Sequence, residues 1–317
     1  MVGKLTPDNM ASASRMPQLL GLSPYATQNE LLAEMIAHDE GRFASSFDGN
    51  ELTYWGNIHE PAIIRRTAET LGLEQVESEI LEPFFHPTLR LACSLDGQGV
   101  GTGIVRSLGN VVVHGGPEID LTGRRVLIEC KTTQAMTEDV PPPWRGPVQL
   151  QAQMMCTAAE VGVVAVLYRG SELRISIYRA DPAMQERIAN AVNDLESRRA
   201  TSEWYPVVSS SDANVAWPQA NAQEIECDDD EVIEACERLE ACKSQIKLLQ
   251  GDIADCESRI KEYMGEAESL RAEASDGGVV VVRWPMRNNR AQPEKVVPAK
   301  PASRVRQNTL TVKRYDD

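Results

Sequence analysis

The sequence lacks any apolar run long enough to cross a membrane as a helix, which needs roughly 18 or more residues. It also lacks the apolar core of a signal peptide behind its opening residues, Met-Val-Gly-Lys-Leu-Thr. These two absences predict a cytoplasmic protein without a membrane contact. Its 317 residues, 42% hydrophobic and 25% charged, are typical of a soluble globular protein with one or two domains.

Closely spaced metal ligands are also missing. The sequence has 7 cysteines but no Cys-x-x-Cys pair, and its 4 histidines do not cluster with the cysteines. Structural zinc sites and iron–sulfur clusters are usually built from cysteines or histidines at short, regular spacings. The spacing therefore argues against both kinds of site. We expect reduced and mostly buried thiols, as in other cytosolic proteins.

The chain has no excess of basic residues, since its formal net charge is -15. The charge is unevenly distributed: residues 224–276 hold 17 Asp and Glu against 6 Lys and Arg, whereas residues 277–317 hold 3 against 9. A negative total lowers the expected affinity for nucleic acid without excluding it, because local geometry sets the electrostatic potential in a cleft.

A short apolar segment that ends in two charges is the most informative part of the sequence. The segment 126–128, Val-Leu-Ile, runs directly into Glu129, Cys130 and Lys131. Because side chains alternate along a strand, Glu129 and Lys131 should share one face while Cys130 points to the other. Charges at the end of an apolar strand are costly to bury unless they are paired, hydrated or bound to a metal.

A metal site for hydrolysis explains this placement. Asp96, within Leu-Asp-Gly, and Glu129 supply hard oxygen ligands that suit Mg²⁺ or Mn²⁺, and the Cys130 carbonyl can add a third. Lys131 would orient or help to deprotonate the attacking water and stabilise the charge that develops on a phosphate. The predicted reaction is phosphodiester hydrolysis. The alternative interpretation is an ordinary ion pair on a surface strand.

Two helix starts carry further candidate residues. Ser14 lies near a helix start, where it can contact a phosphate beside free backbone amides or simply cap the helix. Glu60 precedes Pro61 in the predicted first turn of a helix that ends at Gly72. The helix dipole alone could explain a carboxylate in that turn.

The acidic residue followed by Glu-x-Lys resembles the pattern of the PD-(D/E)XK nuclease superfamily. Five ordered motifs make the resemblance more specific: over roughly residues 10–205 the chain resembles the YqaJ-like viral recombinases, which include the lambda-type phage exonuclease. The motifs are Ser-Arg…Leu-Gly-Leu-Ser-Pro-Tyr (14–25), Trp-Gly…Glu-Pro (55–61), His-Pro…Ser-Leu-Asp-Gly (86–97), Ile-Glu-Cys-Lys-Thr-Thr (128–133) and Val-Gln-Leu-Gln-Ala-Gln (148–153).

The resemblance implies a role for each residue that matches a motif. Asp96, Glu129 and Lys131 would be the catalytic core, and Glu60 would help to hold the metal from its helix. The resemblance further implies that Gln151 faces the active site from the helix that follows Trp-Arg-Gly-Pro.

Recognition of a terminal 5′ phosphate is also implied. Ser14 and Ser94 would lie near that phosphate. The lambda-type enzyme has an arginine seven residues before the position of Ser14, whereas this chain has Pro7. Arg15 is therefore a candidate substitute.

The function implied by the resemblance is a Mg²⁺-dependent (or Mn²⁺-dependent) 5′-to-3′ exonuclease encoded by a phage or prophage. It would resect double-stranded DNA ends so that a single-strand annealing protein can load. A homo-oligomer, with a trimeric ring as one form, would make degradation processive. Two alternatives stay open: an endonuclease of the same superfamily, and a non-catalytic module that binds DNA ends or acts as a scaffold.

The predicted fold is α/β, with a restriction-endonuclease-like core of a mixed sheet flanked by helices at residues 1–207. A linker is predicted at 208–223, an acidic heptad-repeat arm that forms a long coiled-coil helix at 224–276, and a basic tail at 277–317. The heptad seam could pair with a second copy, fold onto the first domain or dock a partner. Its members alternate steps of three and four: Val232, Ala235, Leu239, Cys242, Ile246, Leu249, Ile253, Cys256, Ile260, Tyr263, Ala267 and Leu270.

Overall fold

A computed structural model of the protein describes residues 6–42, 50–78, 80–219 and 223–286. The chain divides into two compact units, Met1–Pro218 and Gln219–Asp317. No helix in the described ranges is long and apolar enough to span a membrane.

Seven α-helices lie in the described part of the chain: α1 (Met16–Leu19), α2 (Gln28–Asp39), α3 (Glu51–Leu71), α4 (Pro147–Thr157), α5 (Pro182–Thr201), α6 (Ser210–Ala216) and α7 (Asp230–Met264). A 3₁₀ turn, Ala13–Arg15, precedes α1. The strands are β1 (Ala11–Ser12), β2 (Leu73–Ser78), β3 (Phe84–Phe85), β4 (Leu91–Cys93), β5 (Gly97–Gly101), β6 (Ile104–Arg106), β7 (Val111–Val113), β8 (Glu118–Asp120), β9 (Arg125–Thr133), β10 (Val161–Tyr168), β11 (Glu172–Arg179), β12 (Ser269–Glu273) and β13 (Val279–Arg283).

Strand β9 lies inside a six-stranded mixed sheet with the order β2-β5-β9-β10-β11-β7. It runs parallel to β10 on one edge and antiparallel to β5 on the other. A small second sheet has the order β1-β4-β3, in which β1 runs parallel to β4. Two-stranded sheets β6-β8 and β12-β13 complete the strand pairing among the described residues.

The side chains of β9 alternate between two apolar layers. Leu127 packs in the layer that includes residues of α1, α2, α4 and α5, whereas Val126 and Ile128 pack in the layer that includes residues of α3. The neighbouring β10 is almost continuously apolar and buried, as expected of a strand covered by helices on both faces. The predicted α/β core, a mixed sheet flanked by helices, is therefore confirmed.

Helix α3 begins earlier than the sequence pattern predicts. Its N-cap is Asn50, whose side chain accepts a hydrogen bond from Thr53 N over 3.0 Å. Pro61 lies inside the helix, so the prediction that Glu60 occupies the first turn is wrong, and the helix dipole cannot account for this carboxylate. The predicted end is confirmed, because Gly72 has a φ of +64° and caps the helix in the left-handed conformation.

The segment predicted as a linker, 208–223, differs from the prediction at its start. Ser210–Ala216 forms α6, and Asp212 of this helix is only 2% exposed. The Asp212 carboxylate accepts hydrogen bonds from Thr27 Oγ1 over 2.5 Å and from Asn29 Nδ2 over 3.0 Å. This buried network joins α6 to α2 within the first unit. Serine and aspartate are typical of loops, but they also cap helices, and the composition alone did not separate the two roles.

The predicted heptad arm at 224–276 also changes structure part-way. Helix α7 ends at Met264, Gly265 follows with a φ of +52°, and the hairpin of β12 and β13 comes next. The seam positions at 267 and 270 therefore lie outside the helix. The predicted basic tail begins at residue 277 in the turn before β13, and its part from residue 287 onward lies outside the described residues.

The close approach of α4 to the sheet makes a prediction about Gly146, which has a φ of +118°. A Cβ atom at this position would lie 2.6 Å from Val164 Cγ1. We expect Gly146→Ala to lower the free energy of unfolding by about 2 kcal/mol or more, because overpacking and backbone strain act together. Urea denaturation measures the change.

The matched control for this prediction is Gly103→Ala. A Cβ atom at position 103 meets nothing within 4 Å. We expect this variant to change the unfolding free energy by less than about 0.5 kcal/mol. Equal stabilities of the two variants would show that α4 does not pack as closely on β10 as described.

Candidate active site

Glu129 and Lys131 form an ion pair on the face of β9 that α4 covers. The Glu129 side chain is completely buried, whereas the Lys131 side chain is 32% exposed. Two glutamines of α4 hold the pair. Gln153 Nε2 donates to Glu129 Oε2 over 2.6 Å, and Lys131 Nζ donates to Gln149 Oε1 over 3.1 Å. The two charges thus share one face of the strand, as the alternation of side chains predicts.

Asp96 reaches the same site from the adjacent strand. β5 pairs with β9 so that Gly97 stands opposite Ile128, which brings Asp96 beside Glu129. Cys130 N donates to Asp96 Oδ2 over 2.7 Å. The amide and carbonyl of one residue in an extended strand point to the same edge, so the Cys130 carbonyl also faces towards Asp96.

Glu60 approaches the site from α3. Burial raises the pKa of Glu60, Glu129 raises it further, and Lys131 opposes the shift. Helix α3 passes close to β9 one turn earlier, where a Cβ atom on Gly56 would lie 3.7 Å from Thr132 Oγ1. Asp96, Glu129 and Lys131 are thus brought together at β9, and Glu60 lies on the helix that packs against this strand.

The electrostatic balance of this group favours an added positive charge. Burial raises the pKa of Asp96 well above its usual range, and the neighbouring Glu129 adds to the shift. Burial lowers the pKa of Lys131, but the carboxylates of Glu129 and Asp96 outweigh this and raise it overall. One ammonium group thus stands among three carboxyl groups.

The oxygen atoms of the site fit a hard divalent cation. Gln153 Oε1 is buried and accepts no hydrogen bond from the described residues, and Glu129 Oε1 is buried with the Lys131 ammonium as its partner. Carboxylate and carbonyl oxygens are the ligands that Mg²⁺ and Mn²⁺ prefer. Within the described ranges, no three His, Cys, Asp or Glu residues already form a metal-binding group. Because Lys131 already pairs with the Glu129 carboxylate, a cation would compete with Lys131 for it.

The prediction that Gln151 faces the active site is wrong. Its side chain points away from β9: Nε2 donates to Arg179 O over 2.9 Å, and Oε1 accepts from Asp181 N over 2.9 Å. An α-helix turns about 200° in two residues, so Gln151 lies opposite its neighbours at 149 and 153. Those two glutamines, four residues apart on one helical face, are the site residues that the sequence reasoning missed.

Ser14 and Ser94 lie on adjacent segments. β1 runs parallel to β4, and each serine follows one of these strands at the same end. Both residues are exposed. Gln153 Nε2 donates to Ser94 O over 3.0 Å as well as to Glu129, which fixes this segment beside the acidic group.

Arg15 is engaged elsewhere in this structure. Its guanidinium forms an ion pair with Glu34 of α2. Pro7, which stands where the resemblance leads us to expect an arginine, has no side-chain donor and uses its carbonyl to accept from Met10 N over 3.4 Å. An arginine that binds a phosphate here would have to leave Glu34.

The site lies within a region that matches a known family. Residues 7–160 match the model of the YqaJ-like viral recombinase domain. This region makes up just under half of the chain, and through it the chain is similar to the YqaJ-like viral recombinases. The YqaJ-like domain contains all four charged residues of the site as well as both glutamines. No curated protein matches the chain.

Solved structures of two exonucleases resemble part of the chain at a distance. The alkaline exonuclease LHK-Exo from Laribacter hongkongensis is 18% identical, with a TM-score of 0.46 and coverage of 61% of this chain and 89% of that one. A phage-related exonuclease from Haemophilus somnus 129PT is 12% identical, with a TM-score of 0.43 and coverage of 61% and 94%. These likenesses are too distant to assign roles to residues.

The raised pKa values in the YqaJ-like domain predict a pH-dependent stability. A carboxyl whose pKa is raised by folding binds more protons in the folded state, so the unfolding free energy falls as pH rises above the unfolded value of about 4. In EDTA, we expect Asp96→Asn to be more stable than the wild type by about 1 kcal/mol or more at pH 8. The advantage should shrink towards pH 5.

Urea denaturation at the two pH values measures this difference. Glu74→Gln, which removes an exposed carboxyl from β2, is the matched control and should give no pH-dependent advantage. An Asp96→Asn protein that is less stable than the wild type at both pH values would contradict the repulsion between Asp96 and Glu129.

Proposed function

We propose that the protein is a metal-dependent deoxyribonuclease that degrades double-stranded DNA from its ends in the 5′-to-3′ direction. The observation that carries the proposal is the buried Glu129–Lys131 ion pair beside Asp96, at the point where an apolar strand reaches a solvent-accessible edge. The match of residues 7–160 to the YqaJ-like viral recombinase domain supports the same activity.

The residues that would hold Mg²⁺ or Mn²⁺ are Asp96, Glu129, the Cys130 carbonyl and Glu60. The cation would neutralise charge on the scissile phosphate and lower the pKa of a bound water. The buried Gln153 Oε1, which accepts no hydrogen bond from the described residues, and the buried Glu129 carboxylate support this assignment, because both supply hard oxygen ligands.

Lys131 would act as a cation and hydrogen-bond donor. The surrounding carboxylates raise its pKa, so Nζ keeps its proton and can orient the attacking water or stabilise the charge on the phosphate. Gln149 and the Glu129 carboxylate both hold Nζ, and the Lys131 side chain remains partly exposed. Gln153 would keep the Glu129 carboxylate in the orientation that binding requires.

We further propose that Ser14 and Ser94 contact the terminal 5′ phosphate, since both are exposed on adjacent segments and Gln153 joins Ser94 to Glu129. Arg15 would join them after leaving Glu34. The proposed partners are a single-strand annealing protein and further copies of the chain, with a trimeric ring as the form that the family resemblance favours. Such a ring would keep the enzyme on its DNA.

Linear duplexes labelled at either the 5′ or the 3′ end test the proposal. In Mg²⁺, we expect early release of the 5′ label as mononucleotide, survival of a covalently closed circle, and a loss of at least about 1000-fold in rate for Lys131→Ala. EDTA should abolish the wild-type activity. A duplex without a 5′ phosphate tests the roles of Ser14, Ser94 and Arg15.

Each other outcome would indicate a different function for this protein. Cleavage of the closed circle would indicate an endonuclease. Early release of the 3′ label would reverse the polarity. Equal inactivity of the wild type and of Lys131→Ala, together with binding to DNA ends, would indicate a non-catalytic module.

The two faces of α4 make a separate prediction. Gln153→Leu removes the donor to the buried Glu129 carboxylate, and we expect it to lower the rate about 10- to 100-fold. Gln151→Leu changes the same residue type on the opposite face of α4, and we expect less than about a threefold change in rate. Single-turnover rates in Mg²⁺ compare the variants. A larger loss of rate for Gln151→Leu than for Gln153→Leu would contradict the assignment of Gln153, and not Gln151, to the active site.

A further inference from the structure

Helix α7 presents an apolar stripe that the described residues of its own unit leave mostly exposed. The stripe occupies the first and fourth positions of five successive heptads, beginning at Val232. Val232, Ile246, Leu249 and Ile253 are 48%, 53%, 59% and 58% exposed. A helix of 35 residues that leaves such a stripe in water gains little from its own packing.

We propose that α7 pairs with α7 of a second copy of the chain in an antiparallel two-stranded coiled coil. Leu239 of each copy lies opposite Leu249 of the other. Three independent features of the helix favour this arrangement: the sizes of its apolar residues, the charges beside them, and the contacts of its last turns. The inference does not depend on the proposed nuclease activity.

The sizes of the stripe residues favour antiparallel packing. First positions hold large aliphatic residues such as Leu239, Ile246 and Ile253, whereas fourth positions include the small residues Ala235 and Cys242. A parallel pair in register would stack large on large and small on small. An antiparallel pair places each first position opposite a fourth position, so that Ile246 meets Cys242 and Ile253 meets Ala235. Alternating sizes fill a core more evenly.

The charges beside the stripe favour the same direction. A parallel pair in register would bring Arg238 to Lys243 of the second copy and Asp252 to Glu257, which are both like-charge contacts. In the antiparallel register proposed above, Arg238 meets Asp252 and Glu231 meets Arg259. Each of these two attractive contacts occurs twice because of the twofold symmetry. They outnumber the like-charge contacts, which are one between the two copies of Lys243 and two between Asp229 and Glu257 at the ends of the overlap.

The last turns of α7 select this register. Met264 is only 6% exposed, and Lys261 Nζ lies 5.8 Å from the ring centroid of Trp284, which follows the hairpin. The end of the helix is thus already in contact with the segment that follows the hairpin. The proposed register overlaps the helices over about residues 230–258, or about 40 Å at 1.5 Å per residue, and leaves that end free. Overlap of the complete helices would oppose Arg238 and Arg259.

Charge exchange in the full-length protein tests the proposal. We expect Arg238→Glu and Asp252→Arg each to weaken self-association through α7 about tenfold, and the double variant to restore it, at low ionic strength. Sedimentation velocity over a concentration series measures the dissociation constants. Glu237→Lys, which alters charge on the opposite side of the helix, is the control and should leave association within about twofold.

The direction of the change in association distinguishes an antiparallel pair from a parallel pair. In a parallel pair, Arg238→Glu would face Lys243 and Asp252→Arg would face Glu257, so both single variants would associate more tightly. Tighter association of either single variant would overturn the proposal. An association constant that is the same for the wild type, both single variants and the double variant would also overturn it. Circular dichroism and thermal melting confirm that the variants keep their helix.

Cysteine cross-linking gives an independent readout of the register. Ile246→Cys would face the native Cys242 of the second copy and should form a disulfide-linked dimer under mild oxidation, mapped by mass spectrometry. Ile253→Cys would face Ala235 and should form no such link. Dimers linked through Cys242 to Cys242, or through Cys256 to Cys256, would show a parallel pair and overturn the proposal.

Discussion

The buried carboxylate of Glu129 is the constraint on which the first unit depends. A charged group without solvent exposure is costly unless nearby groups compensate it. Lys131, two residues further along β9, supplies the opposite charge, and Gln153 of α4 supplies a hydrogen bond. The compensation works only while β9 and α4 keep their alignment. The close contact of Gly146 with Val164 is one of the features that maintain it.

The point at which β5 stops pairing with β9 determines where Asp96 lies. β5 pairs with β9 only as far as Gly97 and Ile128, so the next amide on that edge, Cys130 N, has no backbone partner from β5. Asp96 accepts the hydrogen bond instead. The same interruption that ends the ladder therefore draws a second carboxylate next to Glu129. The proposed cation would relieve the repulsion that this arrangement creates.

The stability of the second unit depends on how its long helix, α7, is supported. Its long helix is supported locally by the Asp229 cap and by the ion pair between Lys261 and Glu257, but most of its apolar stripe is in water. Local capping and surface ion pairs contribute little compared with the burial of an apolar face. Such a helix gains most of its stability from a partner, which is why the exposed stripe bears on assembly and not on the active site.

The sequence by itself determined the features that depend on short-range periodicity. The alternation along β9 set the shared face of Glu129 and Lys131, the ordered motifs indicated the family, and the heptad spacing indicated the long helix. Tertiary structure decided what depends on distant contacts. Gln151 was misplaced because the three glutamines of α4 alternate in sequence, and only packing against β9 selects the two that face it. Glu60 was assigned to a first turn because proline often starts a helix, whereas Asn50, ten residues earlier, provides the cap. The segment around Asp212 has the composition of a linker, yet it folds because Thr27 and Asn29 bind its buried carboxylate. In each case the deciding energy comes from residues far away along the chain, which no local pattern contains.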